Sequence, residues 1–215
     1  MPGGHRGGPR VGGGHPRTRG TAEAFAAYVT EETAVTDLVR DVTARLGPVA
    51  TLVVNATGRQ PEQDPTEVTW ETHLAQLTFF VKSPTQLMQA VLPAMRQRGG
   101  GRIIQIGSDV LERALPEMSA YVAAKAAQHS LTECWARALG GYGITVNTIA
   151  PGWIPVERHA GASPASLAAY AADVPMGRMG RPDDVAAAVS FLASPRRLSS
   201  QANASGSTAV TRSAE

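Results

Sequence analysis

The amino-acid sequence predicts a single α/β domain built around a parallel β-sheet. Of its 215 residues, 43% are hydrophobic and only 5% are aromatic, a composition typical of closely packed helices and strands with small side chains. Residues 49–55 (VATLVVN) form a continuous apolar run, as expected of a parallel strand that is buried on both faces. A chain of this length can bury a substantial core.

The chain divides into a tail and one domain. Residues 1–20 contain eight Gly, three Pro and four Arg, and we expect them to be disordered because they have almost nothing to bury. Residues 21–215 form the domain. Its first predicted helix spans 31–46, with apolar residues at helical spacing, Thr30 as the N-cap and Gly47-Pro48 at its end.

The remaining elements follow in order. A helical region from about 66 to 98 is predicted to break near Ser83-Pro84, because proline suits the first turn of a new helix. Strands are predicted over 102–106 and 143–149, with an Ala-rich helix over 119–139 between them. A helix over 182–193 and a last strand over 205–210 complete the domain.

Three side chains in this order form a candidate proton-transfer site. Ser108 lies at the carboxyl end of the 102–106 strand, and Tyr121 and Lys125 are four residues apart, which places both on one face of a helix. An ammonium held near a phenol lowers the pKa of the phenol, so that it can exchange a proton with an alcohol or carbonyl oxygen. Ser108 would hydrogen-bond the same oxygen. None of the three can carry a hydride, so this chemistry calls for a cofactor such as a nicotinamide.

The composition of the chain favours this interpretation of Lys125. Tyr-x-x-x-Lys pairs occur by chance on many helix surfaces, and a solvated surface pair is the alternative. However, the chain contains 18 Arg and only two Lys, Lys82 and Lys125. A compact ammonium differs physically from a planar guanidinium, so a lysine at this position indicates a specific requirement.

The motifs resemble those of the short-chain dehydrogenase/reductase family. The resemblance spans about residues 25–210 and rests on the Ser108, Tyr121 and Lys125 spacing, on 143–152 (GITVNTIAPG) and on 175–184 (PMGRMGRPDD). It implies a three-layer, Rossmann-like, mostly parallel sheet with helices on both faces. It also implies that the domain binds NAD or NADP and acts as an oxidoreductase on a small-molecule carbonyl or secondary alcohol, with these three residues as the catalytic triad.

The same resemblance implies further roles. The substrate loop would span 155–175, the protein would be a cytoplasmic homo-oligomer, and the helices near 66–98 and 119–139 would form the interface between its subunits. The cofactor contacts would come from Asn55, Tyr121, Lys125, Pro151, Gly152 and Ile154.

Several positions depart from the family pattern. The family's fourth catalytic residue, an asparagine, falls at Leu77 when counted from Trp70 and at Phe80 when counted from Ser108, and neither is asparagine. A threonine that contacts the cofactor in the family is replaced by Val156.

Mostly disordered sequence is expected where the family has an N-terminal β-α-β segment with a glycine-rich phosphate loop. Residues 8–14 (GPRVGGG) match the glycine spacing of that loop, but no strand precedes them, so we interpret the match as chance. We therefore expect an N-terminally truncated domain with weakened NAD(P) binding and an exposed apolar edge at the strand over 49–54. Two hypotheses remain open, an active oxidoreductase and a catalytically silent chain that acts as an association partner.

The charge and composition of the chain argue against several other classes of protein. The net charge is +2, and the residues after the tail carry 16 basic and 18 acidic side chains, which gives no footprint for nucleic acid. A single cysteine, Cys134, excludes an internal disulfide and suits a reducing compartment. There is no run of 18 apolar residues that would place the chain in a membrane. His159 has no second ligand at metal-binding spacing, so we predict no metal site.

Overall fold

The structure is a computed structural model that describes residues 20–194, with the exception of the Arg158 side chain. The predicted tail, apart from Gly20, and the predicted last strand over 205–210 lie outside the described residues.

The described residues form three β-strands and seven α-helices, and each strand is followed by at least one helix. A π-helical turn at Thr78–Lys82 joins the second helix to the third without a break in the chain direction. In chain order the elements are α1 (Glu32–Leu46), β1 (Thr51–Val54), α2 (Trp70–Leu77), α3 (Ser83–Gln97), β2 (Gly101–Ile106), α4 (Val110–Arg113), α5 (Ser119–Leu139), β3 (Ile144–Ile149), α6 (Pro164–Asp173) and α7 (Pro182–Ala193).

The three strands form one parallel sheet, as the sequence predicted, and their order in it is β1-β2-β3. Leu52 lies opposite Ile103 on β2, and Ile103 in turn lies opposite Val146 on β3. Since all three strands run in the same direction, their carboxyl ends meet at one edge of the sheet. That edge is where ligands bind in open α/β sheets.

The main core lies between the sheet and helices α3 and α5. Ile103 and Val146 are fully buried there, packed with Met95 from α3 and Ala136 from α5. Ile104, whose side chain alternates to the opposite face of β2, is also fully buried, and α7 lies against β2 and β3. The sheet is therefore covered on both faces, which agrees with the predicted three-layer arrangement.

Most of the predicted elements are present, with differences at their ends. The helices over 119–139 and 182–193 have the predicted bounds. Thr30 is not the N-cap of α1, because the helix begins one residue later, after Glu31, and no side chain caps it. The helical backbone does not break at Ser83-Pro84 as predicted: a π-helical turn leads directly into α3, and Pro84 lies in the first turn of that helix. The substrate loop contains a helix, α6, that the sequence did not predict.

Strand β1 is the edge of the sheet within residues 20–194. It pairs only with β2 there, and Val53 in its middle is 40% exposed. The expected apolar edge is therefore present in the part of the chain that the structure describes.

Candidate active site

The loops after β2 and β3 are held together at the carboxyl edge of the sheet. The backbone N–H of Gly107 donates to the carbonyl of Ile149 at 2.7 Å, and the N–H of Asp109 donates to the carbonyl of Pro151 at 3.1 Å. These hydrogen bonds continue the pairing of the two strands beyond their ends. As a result, Ser108 lies beside the Pro151-Gly152 segment.

Tyr121 and Lys125 lie on the inward face of α5. Their side chains are 7% and 5% exposed. The alternative that they form a solvated surface pair is therefore wrong. The helical spacing of the two residues was enough to place them on one face, and the packing of α5 against β3 turns that face inward.

The Lys125 ammonium has three neighbours that the sequence did not assign to it. Its Nζ donates to the carbonyl of Ile106 at 2.7 Å and to the Oε1 atom of Gln128 at 2.9 Å. It also lies 4.0 Å from the centre of the Phe80 ring and 5.8 Å from the centre of the Tyr121 ring. A buried ammonium needs such partners because an unpaired buried charge is strongly destabilising.

The structure decides between Leu77 and Phe80 as the position that faces the triad. Phe80 lies in the π-helical turn, is 2% exposed, and packs edge-to-face on Tyr121 with ring centres 5.3 Å apart. Leu77 lies at the margin of the same cluster. The π turn adds one residue to the helical repeat, which accounts for only part of the three-residue difference between Leu77 and Phe80. The Phe80 ring therefore lies directly beside Tyr121 and Lys125.

A single cleft at the carboxyl edge of the sheet contains every residue that the sequence assigned to the site. This strand-end cleft has a volume of about 1170 Å³ and is bounded by the loops after all three strands and by α5, α6 and α7. The structure thus brings the assigned residues together, while their individual roles stay predictions. The residues concerned are Asn55, Ser108, Tyr121, Lys125, Pro151, Gly152 and Ile154.

A second polar group in the strand-end cleft was missed by the sequence reasoning. The hydroxyl of Tyr170 on α6 accepts a hydrogen bond from the backbone N–H of Trp153 at 2.7 Å and donates one to the Oδ2 atom of Asp109 at 3.2 Å. The Arg113 guanidinium lies over the Tyr170 ring, 4.7 Å from its centre. This cluster ties α6 to the two loops that carry Ser108 and Gly152.

Burial alters the acid–base properties of both members of the cluster. Desolvation raises the pKa of the Asp109 carboxyl, and the positive charge of Arg113 and the hydrogen bond from Tyr170 oppose this only in part. Desolvation likewise raises the pKa of the Tyr170 phenol, against the hydrogen bond from Trp153. Tyr170 therefore remains protonated at neutral pH, which keeps it a donor to Asp109.

Of the site residues that the sequence analysis did not assign, some could have been found from their spacing and others could not. Gln128 lies three residues after Lys125 in an alanine-rich stretch, so helical spacing alone places its amide within reach of the lysine. Asp109 and Tyr170 are 61 residues apart and belong to no spacing motif, so nothing in the sequence pairs them.

Among residues 20–194 no group of His, Cys, Asp and Glu side chains could hold a metal ion. The Nδ1 atom of His159 lies 3.1 Å from the carbonyl of Ile154, and its ring packs edge-to-face on Trp153. This histidine therefore supports the wall of the strand-end cleft. In the same part of the chain, no helix combines the length and the apolar character that crossing a membrane requires.

Comparisons with known proteins agree with the motifs. A family described as enoyl-(acyl carrier protein) reductase matches residues 16–203. A 2,3-dihydroxy-2,3-dihydro-p-cumate dehydrogenase of Pseudomonas putida is 36% identical over 173 residues, which cover 79% of this chain and 66% of that protein. A 3-oxoacyl-(acyl-carrier-protein) reductase of Vibrio cholerae is 33% identical over 180 residues, which cover 80% of this chain and 70% of that one.

A comparison of structures also finds a dehydrogenase. The crystal structure of a gluconate 5-dehydrogenase from Burkholderia cenocepacia J2315 in complex with NADP and tartrate is similar at a TM-score of 0.75 and 30% identity, over 80% of this chain and 68% of that chain. The chain spans just under two thirds, 66%, of the length of the dehydrogenase from Pseudomonas putida. Motifs, fold and relatives agree, and the chain belongs to the short-chain dehydrogenase/reductase family.

Proposed function

We propose that the protein is an NAD(P)-dependent oxidoreductase that reduces a carbonyl or oxidises a secondary alcohol. The observation that carries this proposal is the position of Ser108, Tyr121 and Lys125 around one cleft at the carboxyl edge of the sheet. A buried phenol and ammonium on one helix face, with a hydroxyl opposite, are suited to moving a proton to or from a substrate oxygen.

Each member of the triad has a distinct task in this proposal. Tyr121 gives a proton to the carbonyl oxygen or takes it from the alcohol, and the charge of Lys125 favours the phenolate. The Ser108 hydroxyl accepts a hydrogen bond from the N–H of Val110 at 3.4 Å, which leaves its own proton to donate to the substrate oxygen. The substrate would enter from the side of α6, past Tyr170.

The strand-end cleft fits the nicotinamide half of an NAD(P) cofactor, which supplies or accepts the hydride when bound. Gly152 lines the cleft, and a Cβ atom there would collide with the Tyr170 hydroxyl, so the absence of a side chain lets Tyr170 pack directly against this backbone. Residues proposed to hold the cofactor are Asn55, Tyr121, Lys125, Pro151, Gly152 and Ile154.

Fewer observations support binding of the diphosphate half of the cofactor. Within residues 20–194, no helix beside β1 begins at a glycine-rich loop of the kind that binds a pyrophosphate. We therefore propose that NADH and NADPH bind this chain weakly. Trp153 lines the cleft, so a fluorescence titration reports binding directly. Saturation at micromolar cofactor would contradict weak binding.

Hydride transfer across a panel of ketones, aldehydes and secondary alcohols tests the activity itself. The matched variants are Tyr121→Phe, which removes the proposed acid–base group, and Tyr28→Phe, which changes a tyrosine that is 81% exposed. We expect turnover with the wild type and Tyr28→Phe, and a loss of roughly 10²–10⁴-fold with Tyr121→Phe. Equal activity in the two variants would rule out the mechanism.

The second candidate function, association without catalysis, has its own observation. Trp70 and Leu74 are one turn apart on α2 and are 64% and 50% exposed, so they form an apolar stripe in the 66–98 region. We propose that this stripe contributes to an interface with a second copy of the chain. Light scattering on the Trp70→Ser, Leu74→Gln double variant should show a smaller particle than the wild type.

A further inference from the structure

We propose that Gln128 and Phe80 are positioning residues that control how closely the Lys125 ammonium approaches the Tyr121 phenol. The proposal rests on the proposed function, since it takes Tyr121 and Lys125 as the proton-transfer pair. It adds two residues that contact the Lys125 ammonium and that the sequence did not assign to the site.

The first step is the geometry of the helix. Tyr121 lies about one turn before Lys125 on α5, and Gln128 lies almost one turn after it. Helical side chains lean towards the N-terminus of their helix, so an untethered Lys125 would lean towards Tyr121. Instead, the Gln128 Oε1 atom holds its Nζ at 2.9 Å from the other side.

The second step concerns the anchoring of the ammonium on the sheet. The carbonyl of Ile106 accepts from Nζ at 2.7 Å, at the point where β2 ends. Gln128 is 1% exposed, so its amide cannot exchange this contact for water. Two carbonyl oxygens, one from the sheet and one from α5, therefore fix the ammonium 5.8 Å from the centre of the Tyr121 ring.

The third step is the part played by the Phe80 ring. It touches both members of the pair, with its centre 4.0 Å from Nζ and 5.3 Å from the centre of the Tyr121 ring. The face of an aromatic ring attracts a cation but offers no hydrogen-bonding group to a water molecule. Phe80 thus adds a third attachment for the ammonium and keeps that side of the pair dry.

These attachments of Lys125 would determine the pH at which Tyr121 ionises. The interaction between an ammonium and a phenolate strengthens as their separation falls, so loosening the attachments of Lys125 should make Tyr121 ionise at a lower pH. Other titratable groups also face the strand-end cleft. A substitution at Gln128 leaves these groups in place, so their effect on the Tyr121 midpoint is the same in both proteins and cancels in the difference. These groups are Glu62, Asp109, Arg113, Glu157, His159, Tyr170 and Asp173.

The test is an ultraviolet pH titration of the free protein, in which the Tyr121 signal is assigned by subtraction of the same titration on Tyr121→Phe. Gln128→Met removes the amide oxygen at similar side-chain length, and we expect the midpoint of Tyr121 to fall by roughly one pH unit. An unchanged or raised midpoint would overturn the role of Gln128.

Matched controls separate positioning from general disturbance of the core. Gln105 is fully buried, and its amide N–H donates to the Oγ1 atom of Thr132, so Gln105→Met should leave the midpoint unchanged. Phe80→Leu should lower the midpoint by less than Gln128→Met does, and Phe79→Leu, the neighbouring ring, should not move it. No shift with Phe80→Leu would overturn the role of Phe80.

Should Gln128→Met not fold, Gln128→Asn retracts the amide by one methylene and should shift the midpoint in the same direction. The titration needs no cofactor, substrate or turnover. A wild type that transfers no hydride would contradict the proposed function, whereas an unmoved Tyr121 midpoint contradicts the positioning proposal alone.

Discussion

The hydroxyl of Tyr170 donates a hydrogen bond to the carboxylate of Asp109 at 3.2 Å, although 61 residues separate the two in the sequence. The bond joins helix α6, which lines the strand-end cleft, to the residue that follows Ser108. Because the same hydroxyl also accepts from the backbone N–H of Trp153, one phenol links helix α6 to two loops around the site.

Tyr170→Phe should therefore destabilise the protein by about 1–3 kcal/mol, since it leaves the N–H of Trp153 and the Asp109 carboxylate without this partner. Urea unfolding at neutral pH measures the loss. Tyr28→Phe, at a tyrosine that is 81% exposed, is the control and should leave the free energy of unfolding unchanged. Equal stability of the two variants would show that the hydroxyl of Tyr170 contributes nothing.

The burial of Asp109 should make the free energy of unfolding depend on pH. Because desolvation raises the pKa of this carboxyl above its usual 3.8, the folded state binds the proton more tightly than the unfolded state does. The contribution of Asp109 to stability is therefore fully present below pH 3.8 and is lost as the pH rises through the raised pKa. The neutral isostere Asp109→Asn removes this dependence.

Urea unfolding of the wild type and Asp109→Asn across this range checks the sign. We expect the free energy of unfolding of the wild type to fall relative to that of Asp109→Asn as the pH rises towards neutrality. The exposed carboxylate Asp173 supplies the control variant, Asp173→Asn, for which no such trend is expected. A difference that grows in the opposite direction would contradict the assignment to Asp109.

Lys125→Arg should abolish hydride transfer almost as fully as Lys125→Met. A planar guanidinium cannot occupy the compact space between the Ile106 carbonyl and the Phe80 ring that holds the ammonium. We expect a loss of roughly 10²–10⁴-fold in kcat/KM. The other lysine of the chain, Lys82, is exposed, so Lys82→Arg should keep full activity. Substantial turnover by Lys125→Arg would show that charge alone suffices at this position.

Gly143 and Gly99 form a matched pair for a stability test. Both have a positive φ, +69° and +68°, but a Cβ atom on Gly143 would lie 2.5 Å from the carbonyl oxygen of Gly99, whereas one on Gly99 would meet open space. Gly99→Ala should cost about 1–2 kcal/mol for the left-handed backbone alone. Gly143→Ala should cost clearly more, because the steric collision is added. Thermal unfolding compares the two, and equal losses would contradict the collision.

Local pattern accounts for the parts of the structure that were predicted well. The 3.6-residue repeat of α5 depends on hydrogen bonds between residues close in the chain, so the bounds 119–139 and the shared face of Tyr121 and Lys125 follow from nearby residues alone. The apolar run over 49–55 predicted a parallel strand from nearby residues in the same way, and the structure confirms it as β1. The motifs then identified the family.

Long-range packing accounts for what was missed. The π turn before α3 shifts the helical phase by one residue, and only its packing against α5 reveals that Phe80, not Leu77, faces Lys125. The contact of Tyr170 with Asp109 forms because α6 folds back over the strand-end cleft, which no local repeat encodes.

The sequence by itself determined the family, the order of the elements and seven of the residues that line the strand-end cleft: Asn55, Ser108, Tyr121, Lys125, Pro151, Gly152 and Ile154. The tertiary structure decided their environment: which side of α5 is buried, which groups hold the Lys125 ammonium, and which ring excludes water from it. The physical reason is that hydrogen bonding along the chain sets secondary structure, whereas burial and electrostatic distance depend on segments that meet only when the chain is folded.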